Sequence, residues 1–267
     1  MSPDADRSGP AGAADSAGVP WEGRSFSSNP HTADDGRADP VLERALRAFR
    51  SGDGDEVVVV DAYRDARLLI PLIAQKGEGD DENVGAHGLP VDKTQELSIV
   101  TVAAPDGRHV LPVFTSVETM RTWDAQARPV PADGVRTALA ASADDTDLIV
   151  VDPGSETEFV IRRPAVWAIA QQQAWEPSHR SPEVAAGLHE SIGGELAVID
   201  VTLEPGDPLA RGRGPELIVR LHLAAGLDQT QLDAVLARLS KRWASDDRVA
   251  VLVDSLAVKL VRSEPLS

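Results

Sequence analysis

Apolar side chains recur in short, regularly spaced groups from Asp39 onward and are sparse before it. Residues 1–38 are small and polar, rich in Gly, Pro, Ser and Asp, with Trp21 and Phe26 as their only large apolar groups. Such a composition buries too little to offset the entropy of ordering. It reads as a flexible tail, with two rings able to pin it to the body or to a partner. Asp39-Pro40 then marks a helix start, Leu42, Ala45, Leu46 and Phe49 share one face, and Gly52 suits a left-handed stop. The β-branched run 57–60 reads as a strand buried on both faces. The next strand, 68–74, carries Pro71, which predicts an edge or a bulge.

Residues 75–95 are acidic and glycine-containing and read as a mobile hairpin connection. Strands follow at 97–103 and 109–114 around Pro105-Asp106-Gly107. Ser116 suits the cap of a helix to about 125, with Met120 and Trp123 facing inward, and Asp133 the cap of another over 135–142. Strands at 148–151 and 159–162 flank Pro153-Gly154, and a helix spans about 164–173. Residues 174–181 read as a linker, flanked by Trp167 and Trp175, which either pack two domains together or line a cleft between them.

Beyond the linker, Ser181-Pro182 opens a helix to about 192, stopped by Gly193-Gly194. Strands at 197–203 and 217–223 are separated by a Gly/Pro loop. Asp228 and Gln231 have the spacing of a capping pair, ahead of the stripe Leu232, Val235, Leu236, Leu239 and Trp243. A helical turn at 249–253 leads to a last strand, 257–261. The fold class is α/β (α+β): two small α/β domains, each a mixed sheet packed with helices. The expected division is a tail at 1–38, a domain at 39–173, the linker at 174–181 and a second domain at 182–267. A chain of 267 residues suits two small domains or one large one, and the linker favours two.

Charge narrows the partners. The net charge is −17, and residues 215–267 balance seven Lys/Arg against seven Asp/Glu, so the excess lies before them. With no basic cluster to neutralise phosphates, neither nucleic acid nor an anionic membrane is an expected partner. The absence of cysteine removes disulfides, thiolate metal sites and thiol nucleophiles. No apolar run follows a basic start and none approaches ~18 residues, so the expectation is neither a secretory signal nor a membrane span, and a cytoplasmic location.

Three places resemble the SseB family of enhanced serine sensitivity proteins. The first is Val110-Leu111-Pro112-Val113-Phe114-Thr115-Ser116 with Met120 and Trp123, which is similar to the hallmark of the SseB N-terminal domain. The second is Leu148-Ile149-Val150-Val151-Asp152-Pro153-Gly154-Ser155. The third is the strand 217–223, Ala225-Gly226-Leu227-Asp228, the long helix and Val253-Asp254-Ser255-Leu256, similar to an SseB C-terminal domain. The resemblance covers roughly 40–262 and departs from the family pattern in the long tail and the acidic 75–95 segment. It implies a fold and brings no catalytic residues with it.

The residues offer little chemistry. Six histidines include no i, i+4 pair, and His189-Glu190 lacks the second histidine of a zincin helix because position 193 is Gly. Asp80-Asp81-Glu82-Asn83 lacks calcium-loop spacing, and Arg211-Gly212-Arg213-Gly214 lacks the lysine of a phosphate loop. Ser116 has no nucleophile elbow around it. Neither catalytic residues, a metal nor a cofactor is expected. A strand-to-helix turn can still bind, through free helix N–H groups. The candidate binding residues are therefore Pro112, Phe114, Thr115, Ser116, Trp123, Asp152, Pro153 and Gly154, although helix capping by Ser116, core filling by Phe114 and turn formation at 152–154 account for them equally. The expected function is a non-enzymatic cytosolic binding or regulatory module acting through protein contacts, as a monomer or weak homodimer. The exposed strand edge of the second domain is a further contact candidate. The alternative is a small-molecule sensor of amino-acid type with its site near 114–116.

Overall fold

A computed structural model describes residues 34–74, 97–99, 101–103, 107–143, 146 and 148–262. Trp21, Phe26 and the acidic 75–95 segment lie outside them. Helix α1 (Pro40–Ser51) starts where Asp39 Oδ1 accepts the Val41 and Leu42 N–H groups at 2.8 and 3.1 Å. It ends at Gly52, whose φ of 82° is the left-handed stop.

The run 57–60 is helical and not a strand, a correction to the sequence reading. It forms the first turns of α2 (Glu56–Asp65), capped by Asp55 through the Val57 N–H. Val58 is 56% exposed, which a strand buried on both faces would not allow, while Val59, Val60 and Tyr63 are buried on one helical face. The cap and the 3.6-residue spacing outweigh the β-branched propensity. The Tyr63 hydroxyl donates to Thr137 Oγ1 at 2.5 Å, and Thr137 donates on to the Gly134 carbonyl.

Strands β1 (Arg67–Ala74), β2 (Leu97–Ile99), β3 (Val102–Ala103), β4 (His109–Val113), β5 (Arg128–Asp133), β6 (Leu148–Val151) and β7 (Phe159–Arg162) make two sheets. One is antiparallel in the order β2-β1-β5, and the other is β3-β4-β6-β7 with β4 parallel to β6. The expected strand 97–103 is thus divided between the two sheets. Pro71 is neither at an edge nor in a bulge: β1 is the middle strand. It is tolerated because Pro71 faces Pro129 of β5, and pairing with β2 begins only at Leu72. A reciprocal pair of hydrogen bonds between Leu69 and Phe114 joins the sheets.

Helices α3 (Val117–Trp123), α4 (Gly134–Ala143) and α5 (Arg163–Ala170) complete the first domain. In the second, β8 (Val198–Pro205), β9 (Leu217–Leu223) and β10 (Leu256–Arg262) form a mixed sheet in the order β10-β9-β8, with β9 and β10 parallel. Helices α6 (Pro182–Ser191), α7 (Gln229–Ser245) and α8 (Asp247–Leu252) pack with it. The caps Ser181 and Asp228/Gln231 stand where the sequence places them.

Among the described residues the two largest apolar cores are separate, one centred on Leu42, Tyr63, Ile149 and Ile169 and one on Leu188, Val219, Leu221 and Leu239. The loop after β8 crosses between them: Ala210 joins the first core, and its carbonyl accepts the Val160 N–H of β7 at 2.8 Å. Arg162 at the end of β7 is 7% exposed and reaches Asp207, the Gly214 carbonyl and Asp254. Arg163 donates to the Ala250 and Val253 carbonyls. Among the described residues no helix is long and apolar enough to cross a membrane.

Candidate functional site

Because β4 runs parallel to β6 with Val113 opposite Val151, the chain leaves both strands side by side. That brings Thr115-Ser116 next to Asp152-Pro153-Gly154, two motifs far apart in sequence. Asp152 is 1% exposed at φ 47°, a conformation Asp tolerates better than most side chains. Its Oδ1 accepts the Thr115 N–H at 2.8 Å, and its Oδ2 accepts the hydroxyls of Thr115 and Thr157 at 2.8 and 3.0 Å. The expected turn is present, with Ser155 N–H donating to the Asp152 carbonyl at 3.1 Å and Gly154 at φ 79°.

Ser116 caps α3: its Oγ accepts the Thr119 N–H at 3.1 Å, and Thr119 Oγ1 accepts the Ser116 N–H at 3.3 Å. The Val117 N–H donates to the Gly36 carbonyl at 2.9 Å. The Thr115, Val117 and Thr119 N–H groups are therefore spent within the chain, and none of them is left for an anion. The loop at 211–214 is filled in the same way. Asp207 accepts the Arg211 and Gly212 N–H groups at 3.2 and 2.6 Å and so occupies the place an external phosphate would take.

A cavity of about 540 Å³ opens over these motifs. Thr115, Ser116, Trp123, Asp152, Pro153 and Gly154 all line it, together with Glu43, Arg47, Glu118 and Glu156. Phe114 and Pro112 do not line it. Phe114 is fully buried in a small core with Leu69, Met120 and Ala127, its ring centroid 5.3 Å from that of Trp123, and Pro112 is buried in β4. Arg47 pairs with Glu43 at 2.8 Å and is also within the field of Glu156, so three rim acids, Glu43, Glu118 and Glu156, stand against Arg47. The Asp152 hydrogen bonds tie the floor of the cavity together, and its edge is acidic.

A second cavity of about 210 Å³ lies between the two cores. Phe49, Phe159 and Trp175 form its apolar wall, so Trp175 lines the cleft, while Trp167 instead sits under Arg163 at 5.1 Å. Two carboxylic acids, Glu56 and Glu216, face this space. Burial pushes Glu56 up to about 7, with Asp55 and Glu216 adding to it and Arg180 opposing. Burial also raises Glu216, against the stabilising Asp254 N–H at 2.5 Å. Burial lowers His179. At the mouth Arg180 is held by both oxygens of Asp55 at 2.5 and 2.9 Å.

The sequence did not point to Glu56, Glu216, Asp55 or Arg180. Glu56 belongs to the segment misread as leading into a strand, and recognising Asp55 as a helix cap would have moved it to a helix start. Glu216 merely ends a Gly/Pro loop. Among the described residues no group of three or more His, Cys, Asp or Glu could hold a metal ion.

Residues 42–168 match the family model described as the SseB protein N-terminal domain. No curated protein and no solved structure matches the chain.

Proposed function

We propose that this chain is a non-catalytic recognition protein of the SseB type, with domains at 39–173 and 182–267 joined through 174–181, working in the cytosol as a monomer or weak homodimer. Its binding surface is the cavity over Thr115, Ser116, Asp152, Pro153 and Gly154, and its partner is a protein that inserts a basic segment there. The observation that carries this reading is the division of polar groups in that cavity. Those on its floor are hydrogen-bonded to one another, so none is poised to attack a substrate. Those on its rim, Glu43, Glu118 and Glu156, outnumber Arg47, on a chain of net charge −17. A preformed acidic concavity favours cationic partners in both rate and selectivity. The match of residues 42–168 supports an SseB-type first domain, and the second mixed sheet with its own core supports a separate second one.

The size of the cavity favours one other reading. Small-molecule pockets run ~300–1,000 Å³, and about 540 Å³ falls in that range. A small-molecule sensor of amino-acid type would bind through its amino group at the acidic rim.

An NMR titration with a Lys/Arg-rich peptide tests the main reading. Amide shifts concentrated in 115–123 and 152–157 are expected. Shifts confined to another surface, or none, would overturn it. Displacement of the peptide by free amino acids would transfer the site to the sensor reading.

A further inference from the structure

The cavity between the two cores is chemically unlike the one just assigned and is independent of it. Four acids, Asp55, Glu56, Asp207 and Glu216, line it against two guanidinium groups, Arg162 and Arg180. The guanidinium groups are already taken: Arg180 is clamped by Asp55, and Arg162 is bonded to Asp207 at 2.9 Å and to Asp254 at 3.2 Å. Glu56 accepts no hydrogen bond among the described residues, whereas Glu216 accepts the Asp254 N–H through Oε2 and is also stabilised by the Ser178 hydroxyl. The Glu56 and Glu216 carboxyl groups therefore share a cavity with three aromatic rings, Phe49, Phe159 and Trp175.

We infer that this cavity binds a small organic cation, a primary alkylammonium group whose charge meets Glu56 and Glu216 and whose alkyl part lies against Trp175, Phe159 and Phe49. An anion is disfavoured because the cations that would meet it are already paired within the chain. A hard metal ion is disfavoured because six or more oxygen ligands are needed, and no group of three candidate ligands converges among the described residues. An ammonium group needs fewer partners: it donates to carboxylates and is attracted by the faces of aromatic rings, and a desolvated site strengthens both effects. At about 210 Å³ the cavity suits a ligand of a few heavy atoms. The site also draws on both domains, since Glu56, Phe49 and Phe159 come from the first and Glu216 from the second. Occupancy would therefore strengthen their association.

The test is a titration of the full chain with n-butylammonium, 1-butanol and butanoate, three ligands of similar shape and different charge, followed by calorimetry and by Trp175 fluorescence. Saturable binding of n-butylammonium alone is expected, with the fluorescence change lost in Trp175→Phe. Glu56→Gln and Glu216→Gln should each weaken it about tenfold or more, as a charge-assisted hydrogen bond becomes a neutral one. Melting temperatures at or above that of the parent chain would establish that the variants are folded. Equal binding of 1-butanol, no saturable binding of n-butylammonium, or unchanged affinity in both folded variants would overturn the proposal. Should a variant fail to fold, the three-ligand series on the parent chain decides.

Discussion

Replacing Glu56 by Gln should make the protein more stable at neutral and alkaline pH, because an ionised carboxylate in that position opposes folding. In the unfolded chain the carboxyl titrates near 4.5, whereas burial between the domains moves it to about 7. Between those values the native state holds a proton that the unfolded chain has released. Stability therefore falls as pH rises through this window, and the loss is complete above the native value. At ~1.36 kcal/mol for each tenfold change in ionisation, the shift from 4.5 to about 7 corresponds to about 3 kcal/mol. The Gln amide still needs solvation by cavity water, ~1 kcal/mol, so about 2 kcal/mol of net gain is the expectation above the native titration. Glu216 titrates in the same direction, so the parent curve sums both groups, and only the difference between parent and variant isolates Glu56. Urea unfolding from about pH 5 to about pH 8, in buffers free of alkylamines, measures it. The gap should be near zero at the acid end and open as pH rises. A gap that does not depend on pH, or a variant less stable than the parent at alkaline pH, would refute the placement of Glu56 in a desolvated space.

Substitutions at four other positions test the frame of the fold. Asp152→Ala removes the acceptor of three hydrogen bonds and puts Ala at φ 47°, and should cost ~2–4 kcal/mol by urea unfolding, with Asp152→Asn costing less. Gly134→Ala would place a Cβ 2.0 Å from the Tyr63 carbonyl oxygen and should cost more than ~3 kcal/mol, whereas Gly52→Ala, with open space around it, should cost only ~1 kcal/mol from its positive φ. Arg162→Ala leaves the buried Asp207 without its cation and should cost ~3–5 kcal/mol, seen as a large fall in melting temperature.

Local rules carried the sequence reading a long way, and the reading failed where structure depends on distant partners. The caps at Asp39, Ser116, Ser181 and Asp228 need only the residues next to them, and each is where the spacing puts it. So are β6 and β7, whose apolar runs are interrupted by an unambiguous turn. Residues 57–60 misled because a β-branched run has no period of its own, and only the packing of Val59, Val60 and Tyr63 shows it to be helical. Strand β5 went unread because Arg128-Pro129-Val130-Pro131-Ala132-Asp133 has two prolines and no alternation, and it exists as the partner of β1. The first cavity was partly legible, since both its motifs end neighbouring strands, and the burial of Phe114 matches the reading in which it fills the core, whereas the burial of Pro112 in β4 was not foreseen. The second was invisible: Glu56 and Glu216 are brought to one space only by folding, and no spacing rule links them.

The claim on which the functional account rests is that the acidic rim above Asp152 recognises a basic partner segment. Calorimetric titration of a Lys/Arg-rich peptide into the parent chain and into a Glu118→Gln/Glu156→Gln double variant, at low and at raised salt, tests it most directly. Saturable binding to the parent that weakens as salt increases is expected, with a marked loss of affinity and a shallower salt dependence in the variant. Equal affinity and equal salt dependence for the two proteins would contradict it.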